Sequence, residues 1–283
     1  MQLSESLQPI TCGRELGDCL VAGMTFRELQ ASLLQELQGG DAIALAENAW
    51  IAPEALTCLL GSNPPTLVIG DEVVARVAAS SNEHVDVSES GVLVRYPWDF
   101  LTLQERVLGR VKESRVEGDV HARATVDGIM VLGEGSLILP GVYIEGVVVI
   151  GRDCKIGPNA YLRGMNMIGD GCHIGQAVEV KNSILYHNTA MGHLSYCGDS
   201  VVGSGVNFGA GTIVSNFRHD GKNHRSTVGD DLVDTGRRKF GAIIGDGVHT
   251  GIHTSIYPGR KLWPQTSTRP GDIVQKDLHS AQY

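Results

Sequence analysis

Between Leu132 and Leu262 an aliphatic residue returns at every sixth position, and this periodicity limits what the chain can become. The steps are Leu132, Ile138, Ile144, Ile150, Ile156, Leu162, Ile168, Ile174 and Val180, and a glycine follows directly at Gly151, Gly157, Gly169 and Gly175. A six-residue period fits neither the helical repeat nor a long alternating strand. It suits a short strand plus a turn, repeated as the hexapeptide coils of a parallel β-helix, with each aliphatic side chain pointing into a narrow prism. The glycines supply turn conformations that other residues resist.

The register breaks in two places. After Val180 it slips and is expected to resume on Ile184, Ala190, Tyr196, Val202, Phe208 and Val214, one hexad being two residues short. After Asn216 it stops through a polar, charged run, about 217–239, and returns at Ile244, Thr250, Ile256 and Leu262. Such an insertion projects as a loop from one side of the solenoid, where binding residues commonly sit.

The rest of the composition agrees. A chain that is 42% hydrophobic but 5% aromatic has the makings of an Ile/Val/Leu prism. A net charge of -9 argues against a nucleic-acid surface. The six cysteines, at 12, 19, 58, 154, 172 and 197, form no CxxC pair and read as reduced thiols of a cytoplasmic protein. No long apolar run points to a membrane partner or a secretion signal.

Residues 1–110 read as a small α/β domain and 111–283 as the β-helix. Thr25 with Glu28 forms a capping box for a helix burying Phe26, Leu29, Leu33 and Leu37 and stopping at Gly39-Gly40. Short strands are expected at 42–46, 66–69 and 92–95, a helix from Pro53 to before Gly61, an exposed loop over 79–90, and a helix over 101–108. No GxGxxG or GxxxxGK[ST] loop is present, so this domain reads as a cap.

Chemistry gathers around the slip. A three-sided coil takes about eighteen residues, so Arg163 and Lys181 are expected to stack, two cations side by side. An anion such as a phosphate would reconcile them; two solvated side chains are the plainer alternative. His193 is the natural proton acceptor, imidazole being the side chain best suited to take a proton near neutral pH. Tyr196 lies in the same turn, and Asn207 and Asn216 offer amides suited to hydroxyl or carbonyl groups.

At these residues the chain resembles a known family. The run Val178-Glu179-Val180-Lys181, then Gly192-His193-Leu194-Ser195-Tyr196-Cys197-Gly198-Asp199, then Val206-Asn207-Phe208-Gly209-Ala210-Gly211-Thr212 and Asn216 resembles the acetyltransferase domain of bifunctional N-acetylglucosamine-1-phosphate uridylyltransferases. Asn216-Phe217-Arg218-His219-Asp220 and Asp234-Thr235-Gly236-Arg237-Arg238-Lys239-Phe240-Gly241 are closer to the archaeal-type sugar-1-phosphate nucleotidylyltransferases that carry the same domain. The likeness spans roughly residues 115–270. It implies a left-handed parallel β-helix, a homotrimer, and acetyl transfer from acetyl-CoA to a hexosamine 1-phosphate without a metal. It further implies His193 as general base, Arg163 and Lys181 on the sugar phosphate, and Tyr196, Asn207 and Asn216 on sugar and acetyl groups. Lys222 and Arg225, the latter where archaeal-type members have a lysine, would lie near the CoA or a neighbouring subunit's substrate.

The chain departs from that family in its first part, which lacks the GxGxR-type loop. Tyr96-Pro97-Trp98-Asp99-Phe100-Leu101 resembles a segment near the end of the archaeal-type nucleotidylyltransferase domain, so a shortened relic without uridylyltransferase activity is expected. Two other readings remain: a non-catalytic trimeric scaffold or regulator, and a γ-class carbonic-anhydrase-like metalloenzyme using His219 with His224 or His249 with His253.

Overall fold

The computed structural model describes residues 2–37 and 39–279. From Arg115 onward short strands stack in parallel, each on the strand one coil earlier. Asp119–Val120, Leu137–Ile138, Lys155–Ile156, His173–Gln176, Ala190–His193 and Asn207–Phe208 form a six-stranded sheet on one side, and a 13-stranded sheet wraps the others. The chain is a mainly β parallel solenoid consistent with the left-handed β-helix. Its interior is almost wholly aliphatic, Phe208 being the one ring in the core cluster.

Three eight-residue strands, Thr125–Leu132, Tyr143–Ile150 and Tyr161–Ile168, run from one side to the next through Gly128, Gly146 and Gly164, which lie in register. All three have positive φ, and a Cβ on Gly146 would stand 2.5 Å from the Gly164 carbonyl oxygen. In the next coil Asn182 takes this place at φ 45°, and the strand splits into Glu179–Lys181 and Ile184–Leu185.

The slip is distributed differently from the expected pattern. The interior positions after Val180 are Leu185, Met191 and Cys197, followed by Val202, so two hexads are each one residue short. Ala190 and Tyr196 are half-buried rather than interior. Ile184 is fully buried, but outside the prism, in the apolar cluster beneath the N-terminal unit. The doublets Ile184-Leu185 and Val201-Val202 serve two faces at once, and that made the wrong residue of the first pair a plausible interior position.

In the N-terminal unit the Thr25/Glu28 capping box opens the helix Phe26–Gln35, which buries Phe26, Leu29 and Leu33. The helix ends before Leu37, which is half-buried beyond it. Pro53–Leu56 continues as a 3-10 turn to Leu60. The strands Ala44–Leu45, Thr66–Ile69 and Gly91–Leu93 fall at or near the expected positions. Glu72–Arg76, unanticipated, pairs with the first two, and His84–Asp86 forms an exposed strand where a loop was expected.

The unit docks through the helix Asp99–Leu108. An outward column of Met167, Ile184, Val201 and Ile243 joins the same apolar cluster as Trp98, Phe100 and Leu103. Gln104 Nε2 donates to the carbonyls of Met165 and Ser183 at 2.9 and 3.2 Å.

The insertion is closed at its neck, where Phe217 bridges to Lys239 and the Phe240 N–H donates to the Asn216 carbonyl at 3.0 Å. It carries an antiparallel hairpin, Arg225–Val228 with Asp231–Asp234. The solenoid ladder passes by it, Val201 pairing with Ile243 and Ile213 with Ser255.

Candidate active site

Arg163 and Lys181 are direct cross-strand partners, as their spacing predicts. Each, however, already holds a carboxylate. Arg163 Nε donates to Glu179 Oε1 at 2.6 Å, and Lys181 Nζ reaches the two Asp199 oxygens at 3.1 and 3.4 Å. The Asp199 side chain is 1% exposed and also accepts from Asn182 Nδ2 at 3.3 Å and Asn216 Nδ2 at 2.6 Å. Asn216 Nδ2 donates in turn to the Tyr196 hydroxyl at 2.8 Å. Three of the expected site residues, Lys181, Tyr196 and Asn216, are therefore fastened together through Asp199, which sequence reasoning did not single out. A buried carboxylate persists when several donors satisfy it, and Asp199 has three.

Burial pushes the Tyr196 phenol up to about 12, with the Asp199 and Glu179 carboxylates adding to the effect and Arg163 opposing it. Tyr196 therefore keeps its proton at neutral pH. Its oxygen accepts from Asn216, which leaves the O–H for a ligand.

His193 ends the strand Ala190–His193 and pairs with Gln176 one coil earlier. Among the described residues its exposed imidazole makes no side-chain hydrogen bond or ion pair. The backbone beneath it is fixed, its carbonyl accepting from the Gly211 N–H at 3.2 Å and the Ser195 hydroxyl at 2.9 Å. His173, on the preceding strand, is held below the usual imidazole pKa by burial, Lys155 and His193. Asn207 is likewise exposed, bridging His249 through its backbone. Among the described residues no hydrogen bond joins His193 or Asn207 to the Lys181–Asp199 network. The two nearby candidate nucleophiles are closed off: Ser195 is buried and bonded to the His193 carbonyl, and Cys197 lies in the prism with its thiol pushed up to about 12 by burial.

Lys222 and Arg225 line one cavity of about 860 Å³ with Arg218, Arg260 and Tyr257. Arg218 and Arg260 were not anticipated. Arg260 sits in a later coil, where its guanidinium approaches the Arg225 carbonyl at 3.4 Å. Arg218 is held by Asp220 at 2.6 and 2.8 Å. A more apolar cavity of about 600 Å³, lined by Ile213, Phe217 and Ile256, shares Arg218, Tyr257 and Pro258 with the first. The basin thus offers cations at one end and apolar surface at the other.

The histidine pairs do not converge. His224 is buried and bonded through Nε2 to the Asn216 carbonyl at 3.1 Å, whereas His219, His249 and His253 are exposed. Among the described residues no three His, Cys, Asp or Glu side chains come together as a metal cage.

A protein-family model described as the GMPPB C-terminal domain matches residues 138–260. The bifunctional sugar-1-phosphate nucleotidylyltransferase/acetyltransferase of Sulfurisphaera tokodaii is 38% identical over 187 residues, 66% of this chain and 47% of that protein. The bifunctional protein GlmU of Methanococcus maripaludis strain C7 is 44% identical over 190 residues, 67% of this chain and 46% of that protein. The chain thus spans about half the length of these curated relatives. Among solved structures, the polySia specific acetyltransferase NeuO covers 59% of this chain and 80% of its own at 18% identity, with a TM-score of 0.30. That likeness adds nothing to the assignment. The sequence relatives do: the chain is similar to a bifunctional sugar-1-phosphate nucleotidylyltransferase/acetyltransferase and to GlmU, and its solenoid to the GMPPB C-terminal domain.

Proposed function

We propose that the chain is an acetyl-CoA-dependent N-acetyltransferase acting on a hexosamine 1-phosphate, with His193 as general base. The observation that carries this reading is the preassembled group of Lys181, Asp199, Asn216 and Tyr196, with Arg163 in the next column position and an unencumbered imidazole three residues before Tyr196. The name of its Sulfurisphaera tokodaii relative, a bifunctional nucleotidylyltransferase/acetyltransferase, supports it.

In this mechanism the sugar ammonium gives a proton to the neutral His193 imidazole, and the freed amine nitrogen attacks the thioester carbonyl. The C–N bond forms and the carbonyl becomes an oxyanion, best held by a backbone N–H. On collapse the C–S bond breaks, the nitrogen gives up its second proton, and the CoA thiolate leaves with that proton as the free thiol, while the proton on His193 passes to solvent. Transfer is direct, because Ser195 and Cys197 are sealed against forming an acyl-enzyme. Arg163 and Lys181 would hold the phosphate, Tyr196, Asn207 and Asn216 the sugar and acetyl groups. Lys222 and Arg225, with Arg218 and Arg260, would meet the phosphates of CoA, and the adjoining apolar cavity its pantetheine arm.

Ile213, Tyr257 and Ile273 are 43%, 48% and 58% exposed beside this basin. Uncovered apolar side chains of this kind favour association with further copies, and a homotrimer sharing its sites is the expected assembly. The first 110 residues are proposed to serve as a cap without nucleotidyl transfer.

The test is thiol release from acetyl-CoA with a panel of hexosamine 1-phosphates. Turnover with one sugar should fall by at least a hundredfold in His193→Ala while Arg225→Lys keeps most of it. Full activity in His193→Ala would remove the assigned base, and no release with any sugar would favour the scaffold reading.

A further inference from the structure

The outward column of Met167, Ile184, Val201 and Ile243 continues to Lys261, the cross-strand partner of Ile243. A charge here breaks an otherwise apolar run packed against the N-terminal unit. Lys261 is 2% exposed, and its Nζ stands 5.8 Å from the Trp98 ring centroid. Among the described residues the ammonium makes no ion pair and no hydrogen bond. Asp277, the acid that acts on it, turns Oδ1 to the Lys261 backbone N–H at 3.0 Å instead, and its buried Oδ2 is unpartnered. Burial accordingly lowers the ammonium pKa to about 8, Asp277 only partly opposing. A buried cation with only a partial counter-charge is costly unless something else supplies the remainder.

Lys261 lines a cavity of about 440 Å³ where three parts of the chain meet. Gln8 comes from the N-terminal unit, Thr227 from the inserted hairpin, and Trp263 and His279 from the last coils. Among the described residues the side chains of Gln8 and Thr227 make no hydrogen bond, so their donors are available. The Trp263 and His279 rings lie against one another, centroids 3.9 Å apart and planes tilted by 35°, and give the cavity an aromatic wall. The one carboxylate on the rim, Glu5, accepts from the Gln2 N–H at 3.1 Å.

We propose that this cavity binds a phosphate-bearing small molecule, with Lys261 Nζ as the anchoring cation and Gln8, Thr227 and His279 as surrounding donors. A phosphate can take several donors at once, and the volume leaves room for the group that carries it beside the aromatic wall. The site lies on the side covered by the N-terminal unit, whereas His193 lies on the six-stranded sheet. A ligand here bridges all three parts of the chain and so should stabilise the folded state.

The test uses the full chain and its Lys261→Met variant, with inorganic phosphate, a nucleoside monophosphate and a hexose 1-phosphate, each against sodium chloride at matched ionic strength. Lys261→Met should fold, since methionine fills a similar volume and removes a buried charge that Asp277 only partly offsets, and its acetyl-transfer rate should match that of the parent. Calorimetric titration and Tm should show saturable binding by the parent, at least tenfold weaker in the variant. The phosphate ester with the largest response identifies the group that packs on Trp263. Equal affinity in the two proteins, or no saturable binding of any of the three by the parent, overturns the proposal.

Discussion

Glu179 and Asp199 decide how strongly the site can attract a phosphate. Asp199 is buried, satisfies Lys181 and orients Asn216, so it acts as a fixed internal counter-charge. Glu179 is different: its side chain and that of Arg163 are 32% and 35% exposed, and a phosphate entering the site competes for the same guanidinium. A half-exposed pair of this kind is worth about 1 kcal/mol or less. Glu179→Gln should therefore lower KM for the sugar phosphate by about two- to fivefold with kcat little changed; an unchanged or higher KM in steady-state kinetics would show that Arg163 does not meet the phosphate. The Arg163–Lys181 pairing was legible because coil length converts directly into stacking. Asp199 was not, because an acid in a Gly-Asp turn looks solvated until the fold carries Lys181 and Asn216 to it from seventeen or eighteen residues away.

Among the elements, the glycine ladder at the corner of the long strands is the least replaceable. Gly146 combines φ 96° with a Cβ position 2.5 Å from the next coil's carbonyl oxygen, whereas Gly205 has φ 65° and nothing within 4 Å. Gly146→Ala should cost about 2–4 kcal/mol, strain and backbone clash together, and Gly205→Ala about 1 kcal/mol. Thermal unfolding of the two variants compares them, and equal losses would contradict the close approach. The six-residue period made the solenoid readable, and the capping box did the same for the helix Phe26–Gln35. Periodicity could not locate the two short hexads, because adjacent aliphatics at 184–185 leave the inward residue undetermined until the neighbouring coil sets it. The strand Glu72–Arg76 escaped notice because only Val74 and Ala75 of its five residues are buried, too little for an alternating pattern.

At the scale of the whole molecule the N-terminal unit and the insertion clasp one another across the solenoid. Arg237 donates to Thr102 Oγ1 at 3.0 Å and Glu105 Oε1 at 2.5 Å, and Phe240 meets Trp98 edge to face. Arg237→Ala should lower stability by about 1–3 kcal/mol through the lost charged hydrogen bonds. Because the same insertion carries Lys222 and Arg225, KM for acetyl-CoA should rise more than kcat falls. Kinetics and thermal unfolding on one preparation check both effects; a stability loss with unchanged KM would mean that the hairpin keeps its place without the clasp. The closed neck of this insertion has a wider consequence. The chain leaves and re-enters the coils at adjacent points while the strands on either side pair directly, so the segment can lengthen, shorten or change composition without disturbing the spacing of the coils. Over evolutionary time that would let ligand preference diverge in the insertion while selection on the prism stays constant.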